Sequence, residues 1–282
     1  MEQRKLDYAR LTTEGRNPRS MHIDTMSTED MMRCINEEDK LVPLAVEKEV
    51  PNIAKAVDAI TAAFEKGGRL IYTGCGTSGR LGVLDASECP PTYGTDPELV
   101  VGVIAGGDYA LRHAIEGAED SFEAGQAAME ELGVSDKDVV VGISAAGGAA
   151  YVIGTLDYAR SKGAVTVSLT CNAGAKLDAY GDICITPIVG PEVVTGSTRM
   201  KSGTATKLVL NMLTTGVMIK TGKVYENLMV HMRPTNAKLR ARAIRMIGQL
   251  TGRDEADCTR ALDACEGNIR AAADLLKGEQ AK

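Results

Sequence analysis

From residue 69 onward the chain alternates short, nearly unbroken apolar runs with longer stretches of helical spacing. The runs 69–73, 99–104, 138–143, 164–169 and 182–186 read as strands, and 78–87, 109–132, 149–162 and 203–220 as helices. Runs such as Val139-Val140-Val141 do not alternate with polar residues, so both faces of the sheet must be covered. The pattern therefore predicts an α/β chain: a three-layer αβα sandwich around a mostly parallel, five-stranded sheet. Ligands of such sheets sit beyond the carboxyl ends of the strands, here at loops 74–79, 105–108, 144–149 and 170–174. All four loops are rich in Gly, Ala, Ser or Asn.

The flanks follow different rules. Residues 1–26 are polar and read as an extended arm. Ser27 suits a helix cap, followed by Glu29 and Asp30 at the positive end of the dipole. A second helical region spans about 39–66, kinked or restarted at Pro51 and ended by Gly67-Gly68. From Pro234 the chain is helical again, basic through Lys238, Arg240, Arg242 and Arg245, and broken at Gly252 and Gly267. That spacing resembles a small three-helix bundle of the ubiquitin-associated type, whose expected role is packing or a lid. Three regions result: an N-terminal arm with helices over 1–50, an α/β domain over 51–225, and a C-terminal helical region over 226–282.

Composition narrows the function. In 282 residues, 44% hydrophobic and 25% charged, an ordinary core can form. A net charge of −6 argues against a nucleic-acid partner, and no apolar run approaches a membrane span. The N-terminus shows no signal-peptide block. Seven scattered Cys without a C-x-x-C pair point to a reducing cytoplasm. The three His stand far apart without ligand-like spacing, so neither a metal nor a cofactor is expected.

The chemistry gathers around 69–94. After Leu70-Ile71-Tyr72 the chain turns through Gly74, Gly76, Thr77, Ser78 and Gly79 into a helix. Small residues let the backbone approach a ligand, and the free amides of a helix start favour an anion, most often phosphate. The same glycines satisfy G-x-G-x-x-G, but the acidic residue that a dinucleotide site wants comes late, at Asp108. No Lys follows the glycines, which argues against a nucleoside triphosphate. Two carboxylates flank these loops: Glu88, beside Pro90-Pro91, and Glu119, in a Glu116–Glu123 stretch that could equally be a solvated helix face.

Four strings, YTGCGTSGR at 72–80, LDASECPPTYG at 84–94, EGAED at 116–120 and VVTGSTRMKSGTATKLVLNML at 193–213, resemble those of the N-acetylmuramic acid 6-phosphate etherases. The resemblance runs from about residue 10 to the end and implies the sugar-isomerase fold, shared with the glucokinase regulatory protein. It implies cleavage of the D-lactyl ether of N-acetylmuramic acid 6-phosphate, giving N-acetylglucosamine 6-phosphate and D-lactate, in cell-wall recycling. The family's two functional glutamates fall on Glu88 and Glu119. The ring-opened sugar has an aldehyde, so a carboxylate base can remove the carbon 2 proton, and lactate then leaves carbon 3 with a proton from an acid. Glu88 is implied as that acid and Glu119 as the base. Gly76, Thr77, Ser78, Gly79, Arg80, Ser144, Gly147, Gly148, Ser197, Thr198 and Lys201 are implied to bind the phosphorylated amino sugar. The segment 195–203 should both cap the next helix and line the pocket.

One loop departs from the family. Where etherases often carry Ser-Gly-Arg-Thr-Pro, this chain has Ser144-Ala145-Ala146-Gly147-Gly148-Ala149-Ala150-Tyr151, without the Arg. A lost charge-assisted contact costs roughly 1.5–3 kcal/mol. That loop favours the alternative, a non-catalytic sugar-phosphate sensor; the retained glutamates favour the enzyme. If 78–87 is one helix, Glu88 lies about 15 Å from the phosphate turn, too far for one sugar. A homodimer with shared active sites, one subunit lending Glu88 to the other, would remove the difficulty.

Overall fold

The computed structural model of the chain describes residues 11–280. Five strands form one sheet: β1 (Leu70–Gly74), β2 (Val100–Ile104), β3 (Val139–Ile143), β4 (Val165–Leu169) and β5 (Ile183–Ile185). Their order is β2-β1-β3-β4-β5 and every pairing is parallel. The pattern of unbroken apolar runs is thereby explained. Ile71 joins a buried cluster with Val140, Tyr151, Val152, Leu156 and Met129 on one face. Its neighbour Tyr72 turns the other way, to Asp85, whose carboxylate accepts from the Tyr72 hydroxyl at 3.1 Å. Both faces are covered, as the αβα expectation requires.

The helices before the sheet are α1 (Thr28–Asp39), α2 (Leu41–Glu47) and α3 (Val50–Glu65). Ser27 caps α1 by accepting from the Asp30 amide at 3.2 Å. Pro51 restarts the chain as α3 rather than kinking one long helix, because a proline in the first turn has no N–H that the helix needs. The expected arm falls partly outside the described residues. Its described part is pinned rather than free: Thr12 donates to Asn172 at 2.9 Å, and Ser20 to the Val193 carbonyl at 2.7 Å.

Two helical expectations need correction. The helix expected over 78–87 is α4, Gly76–Tyr93, and it runs straight through Pro90 and Pro91, so Glu88 lies within it rather than after it. Two proline rings remove two ladder donors, but proline's φ is itself helical. The buried Ala86 and Cys89 hold this stretch in place. The helix expected over 109–132 is mostly loop. A short 3-10 turn (Asp108–Leu111) precedes an irregular stretch, and α5 (Phe122–Glu131) begins only after Ser121, which caps it by accepting from Ala124 N. Glu116 and Glu119 are therefore on a loop, not on a helix face.

The remaining helices are α6 (Ala150–Ser161), α7 (Lys201–Lys220), α8 (Ala237–Thr251), α9 (Glu255–Ala264) and α10 (Ile269–Gln280). The described chain divides into two compact units, one of residues up to 87 and 98–214, the other of 88–97 and 215 onward. The first holds the sheet. In the second, α8, α9 and α10 form a three-helix unit around Met246, Ile247, Cys258, Leu262, Ile269 and Ala272.

Candidate active site

Strand order places the candidate site. The connection from β1 goes to β2 on one side, and the chain then returns to β3 on the other, so the crevice beyond β1 and β3 is a topological switch point. A cavity of about 220 Å³ lies there, lined from β1's turn by Cys75, Gly76, Thr77 and Ser78, and from β3's loop by Ser144, Ala145 and Ala146. The turn is as tight as its glycines allow. A Cβ on Gly79 would lie 2.6 Å from the Gly74 carbonyl and from Ile104, so glycine is required for α4 to start against the sheet. Gly76, Thr77 and Ser78 are the first residues of α4, where unpaired amides and the helix dipole favour an anion.

The other walls are fixed by remote contacts. The Ala145 carbonyl accepts from Cys171 N and from Asn172 Nδ2, both at 2.9 Å, which ties β3's loop to that of β4. Gly147 shapes this loop: its φ is +69° and a Cβ there would meet Ala175 Cβ at 2.3 Å. Its amide donates to Ser144 Oγ at 3.1 Å, which orients that hydroxyl. From α7 come Ser202, Gly203 and Thr206, with Thr198 just before it. The expected hydroxyl cap of α7 is instead a carboxylate: Glu192, fully buried, accepts from the Lys201 and Ser202 amides at 2.9 and 3.0 Å. Asp85, accepting from Lys207 at 2.7 Å, joins α7 to α4.

Glu119 completes the lining. Its side chain is exposed, but its carbonyl accepts from Tyr151 N, in the first turn of α6, at 3.0 Å. Among the described residues that line the cavity it is the one charged group, and the rest of the polar lining is hydroxyl or backbone. Burial, and then the charges of Glu119 and Asp120, push the Cys75 thiol up to about 12. Burial does the same to the Tyr151 phenol, also to about 12. Cys75 is therefore neutral at physiological pH and offers no thiolate nucleophile. Among the described residues no group of three or more His, Cys, Asp or Glu is placed to hold a metal ion.

Of the residues singled out from the sequence, the cavity gathers Gly76, Thr77, Ser78, Ser144, Thr198 and Glu119. Others serve elsewhere. Gly79 gives α4 its close approach to the sheet and Gly147 shapes its loop. Arg80 donates to the carbonyls of Ala110 and Leu111 at 2.7 and 2.9 Å. The Lys201 ammonium meets Glu38 at 2.7 Å and the Val189 carbonyl at 2.9 Å, away from the cavity lining. Gly148 and Ser197 are not in that lining. Glu88 is exposed on α4 and belongs to the second compact unit. Ser202 and Gly203, within the segment expected to line the pocket, do so. The sequence reading missed Cys75 and Thr206. The hydroxyl at 206, one helical turn beyond Ser202, was the available signal.

Residues 52–160 match the glucokinase regulatory protein N-terminal SIS domain, and residues 109–216 the SIS domain. The chain is 57% identical to the N-acetylmuramic acid 6-phosphate etherase of Caldanaerobacter subterraneus, covering 96% of this chain and 89% of that one. It is also 56% identical to the N-acetylmuramic acid 6-phosphate etherase of Escherichia coli O81, covering 95% and 90%. The chain belongs to the N-acetylmuramic acid 6-phosphate etherase family. The etherase family's fold has solved relatives. The phosphoheptose isomerase of Neisseria gonorrhoeae aligns with a TM-score of 0.51 at 19% identity, covering 68% of this chain and 98% of that one. The NanR protein of Vibrio vulnificus aligns with a TM-score of 0.51 at 14% identity, covering 73% and 68%. At these identities the likeness speaks for the shared sugar-isomerase architecture alone. Among the described residues no helix is long and apolar enough to cross a membrane.

Proposed function

We propose that this chain cleaves the D-lactyl ether of N-acetylmuramic acid 6-phosphate, a carbon–oxygen lyase reaction that yields N-acetylglucosamine 6-phosphate and D-lactate. One observation carries the reading: a phosphate-type turn and a carboxylate line one cavity at the switch point of a sheet from this family. The phosphate rests on the amides of Gly76 and Thr77 and on the hydroxyls of Thr77, Ser78, Ser144 and Thr198. Glu119 takes the carbon 2 proton, which the aldehyde of the open-chain sugar acidifies. The electrons move toward carbon 3 and lactate departs as an alkoxide, protonated by Glu88. Water then adds to the unsaturated aldehyde by the same groups in reverse, so one water enters and one lactate leaves. Each positioned acid or base contributes about 10²–10⁴ in rate. The aldehyde itself stabilises the carbanion, and the chain's own carboxylates carry the protons.

Glu88 requires a further element. It lies ten residues beyond Ser78 on one continuous helix, a rise of about 15 Å. We infer a homodimer in which the acid of one subunit serves the phosphate site of the other. A phosphorylated substrate and seven free thiols suit a cytoplasmic reaction. Incubation of the protein with N-acetylmuramic acid 6-phosphate tests the reading. Stoichiometric D-lactate and N-acetylglucosamine 6-phosphate are expected; binding without lactate release would overturn it in favour of a sugar-phosphate sensor.

A further inference from the structure

The segment from Ala105 to Ser121, which carries Glu119, has no regular structure beyond a short 3-10 turn. A base must hold its place to within about 0.5 Å, and a loop of this length does not do so unaided. Downstream, the Glu119 carbonyl is held by Tyr151 N. Upstream, the anchor is Arg80, which lines a second cavity of about 150 Å³ together with Gly76, Ala110, His113 and Glu119. Its Nη2 donates to the Ala110 carbonyl at 2.7 Å and to that of His113 at 3.4 Å, and its Nε donates to Leu111 at 2.9 Å. The His113 ring stacks on Tyr109 with centroids 4.0 Å apart, which stiffens the same turn. A planar fork reaching several carbonyls is a geometry that Lys cannot copy.

We propose that Arg80 is a positioning residue for the etherase reaction: it clamps the 108–113 turn to the phosphate-binding end of α4, so that Glu119 is held against the sugar. The inference rests on reading Glu119 as the base. Arg80 follows Ser78 by two positions on α4. The helix that receives the phosphate thus also sets the loop that receives the proton. Its guanidinium is taken up by backbone carbonyls, so it does not serve as the phosphate's cation.

The two roles predict opposite kinetics. A phosphate ligand, once removed, weakens binding. A positioning residue, once removed, slows turnover, because a misplacement of about 1 Å costs on the order of 10²-fold in rate. Arg80→Ala, Arg80→Lys and Arg80→Gln should be compared with the unaltered protein for kcat, KM and inhibition by N-acetylglucosamine 6-phosphate. The expected result for Arg80→Ala is a kcat lower by roughly 10–100-fold. Its inhibition constant should stay within about twofold, and added guanidinium should restore part of kcat. Arg80→Lys should recover less than guanidinium does, since it offers no fork. An inhibition constant that rises tenfold with kcat retained overturns the proposal and makes Arg80 a phosphate ligand. Should Arg80→Ala not fold, Arg80→Lys and Arg80→Gln carry the same comparison. If the unaltered protein releases no D-lactate, the etherase reading fails first. Hydrogen exchange over residues 108–119 then decides the clamp: faster exchange in the variants supports it, and unchanged exchange overturns it.

Discussion

The Lys201 ammonium lies 2.7 Å from a Glu38 carboxylate oxygen, and each side chain is 1% exposed. The same ammonium donates to the Val189 carbonyl, and the other Glu38 oxygen meets Arg19. Removing Lys201 leaves the buried Glu38 carboxylate with the exposed Arg19 as its remaining cation, so the cost falls at the low end of about 3–5 kcal/mol. Lys201→Met should therefore lower unfolding stability by that amount in urea titration, while the KM of the folded fraction stays unchanged. A raised KM at unchanged stability would return Lys201 to the substrate.

Acid should weaken the fold through Glu38 and Asp138. Burial alone would raise both carboxyls. For Glu38 the Lys201 and Asn17 hydrogen bonds and the Lys201 and Arg19 charges outweigh it. For Asp138 the Arg69 and Ser135 hydrogen bonds and the Arg69 charge do so. Both fold with a lowered pKa, so their stabilisation is complete above the unfolded value, about 4, and is lost as pH falls through the folded one. Urea midpoints should hold between about pH 7 and 5 and drop below about pH 4. Asp138→Asn should be less stable at neutral pH and show a flatter acid limb.

Glu119→Gln keeps the shape of the side chain and removes its basicity. D-lactate release should fall by about 10²–10⁴-fold. Inhibition by N-acetylglucosamine 6-phosphate should persist, because the phosphate contacts remain. Exchange of the carbon 2 proton with deuterated solvent, followed by NMR, should vanish with it. Retained exchange would give the base role to another group.

The shared-site dimer can be tested by complementation. On the proposed arrangement Ser78→Ala weakens the phosphate turn and Glu88→Ala removes the proposed acid, so each variant alone should be nearly inactive. If each site takes Ser78 from one subunit and Glu88 from the other, half the sites in a mixed dimer are intact. Mixing the two after reversible dissociation should restore a measurable part of the activity. No rescue at all would sink the shared arrangement.

Much of the architecture was legible because the signals are local. Val139-Val140-Val141 marks a strand buried on both faces, and Gly74 through Gly79 marks a turn that needs small residues. Ser27 announces the start of α1, and Gly252 and Gly267 divide the terminal helices. The hydroxyls of Thr77, Ser78 and Ser144 could be placed at one end of the sheet because each follows the carboxyl end of a strand in a parallel sheet.

Tertiary structure decided where the charges went. Lys201 and Arg80 look like anion ligands beside Ser and Thr, yet one pairs with Glu38 on α1 and the other donates to the backbone carbonyls of Ala110 and Leu111. Glu192 took the cap of α7 from the nearby hydroxyls. Pro90 and Pro91 stayed helical, and the acidic stretch around Glu119 became a loop. Periodicity and turn chemistry depend on neighbours within a few positions, so the chain itself carried them. The destination of a long charged side chain depends on which buried partner or free carbonyl lies within reach, and only folding brings those together.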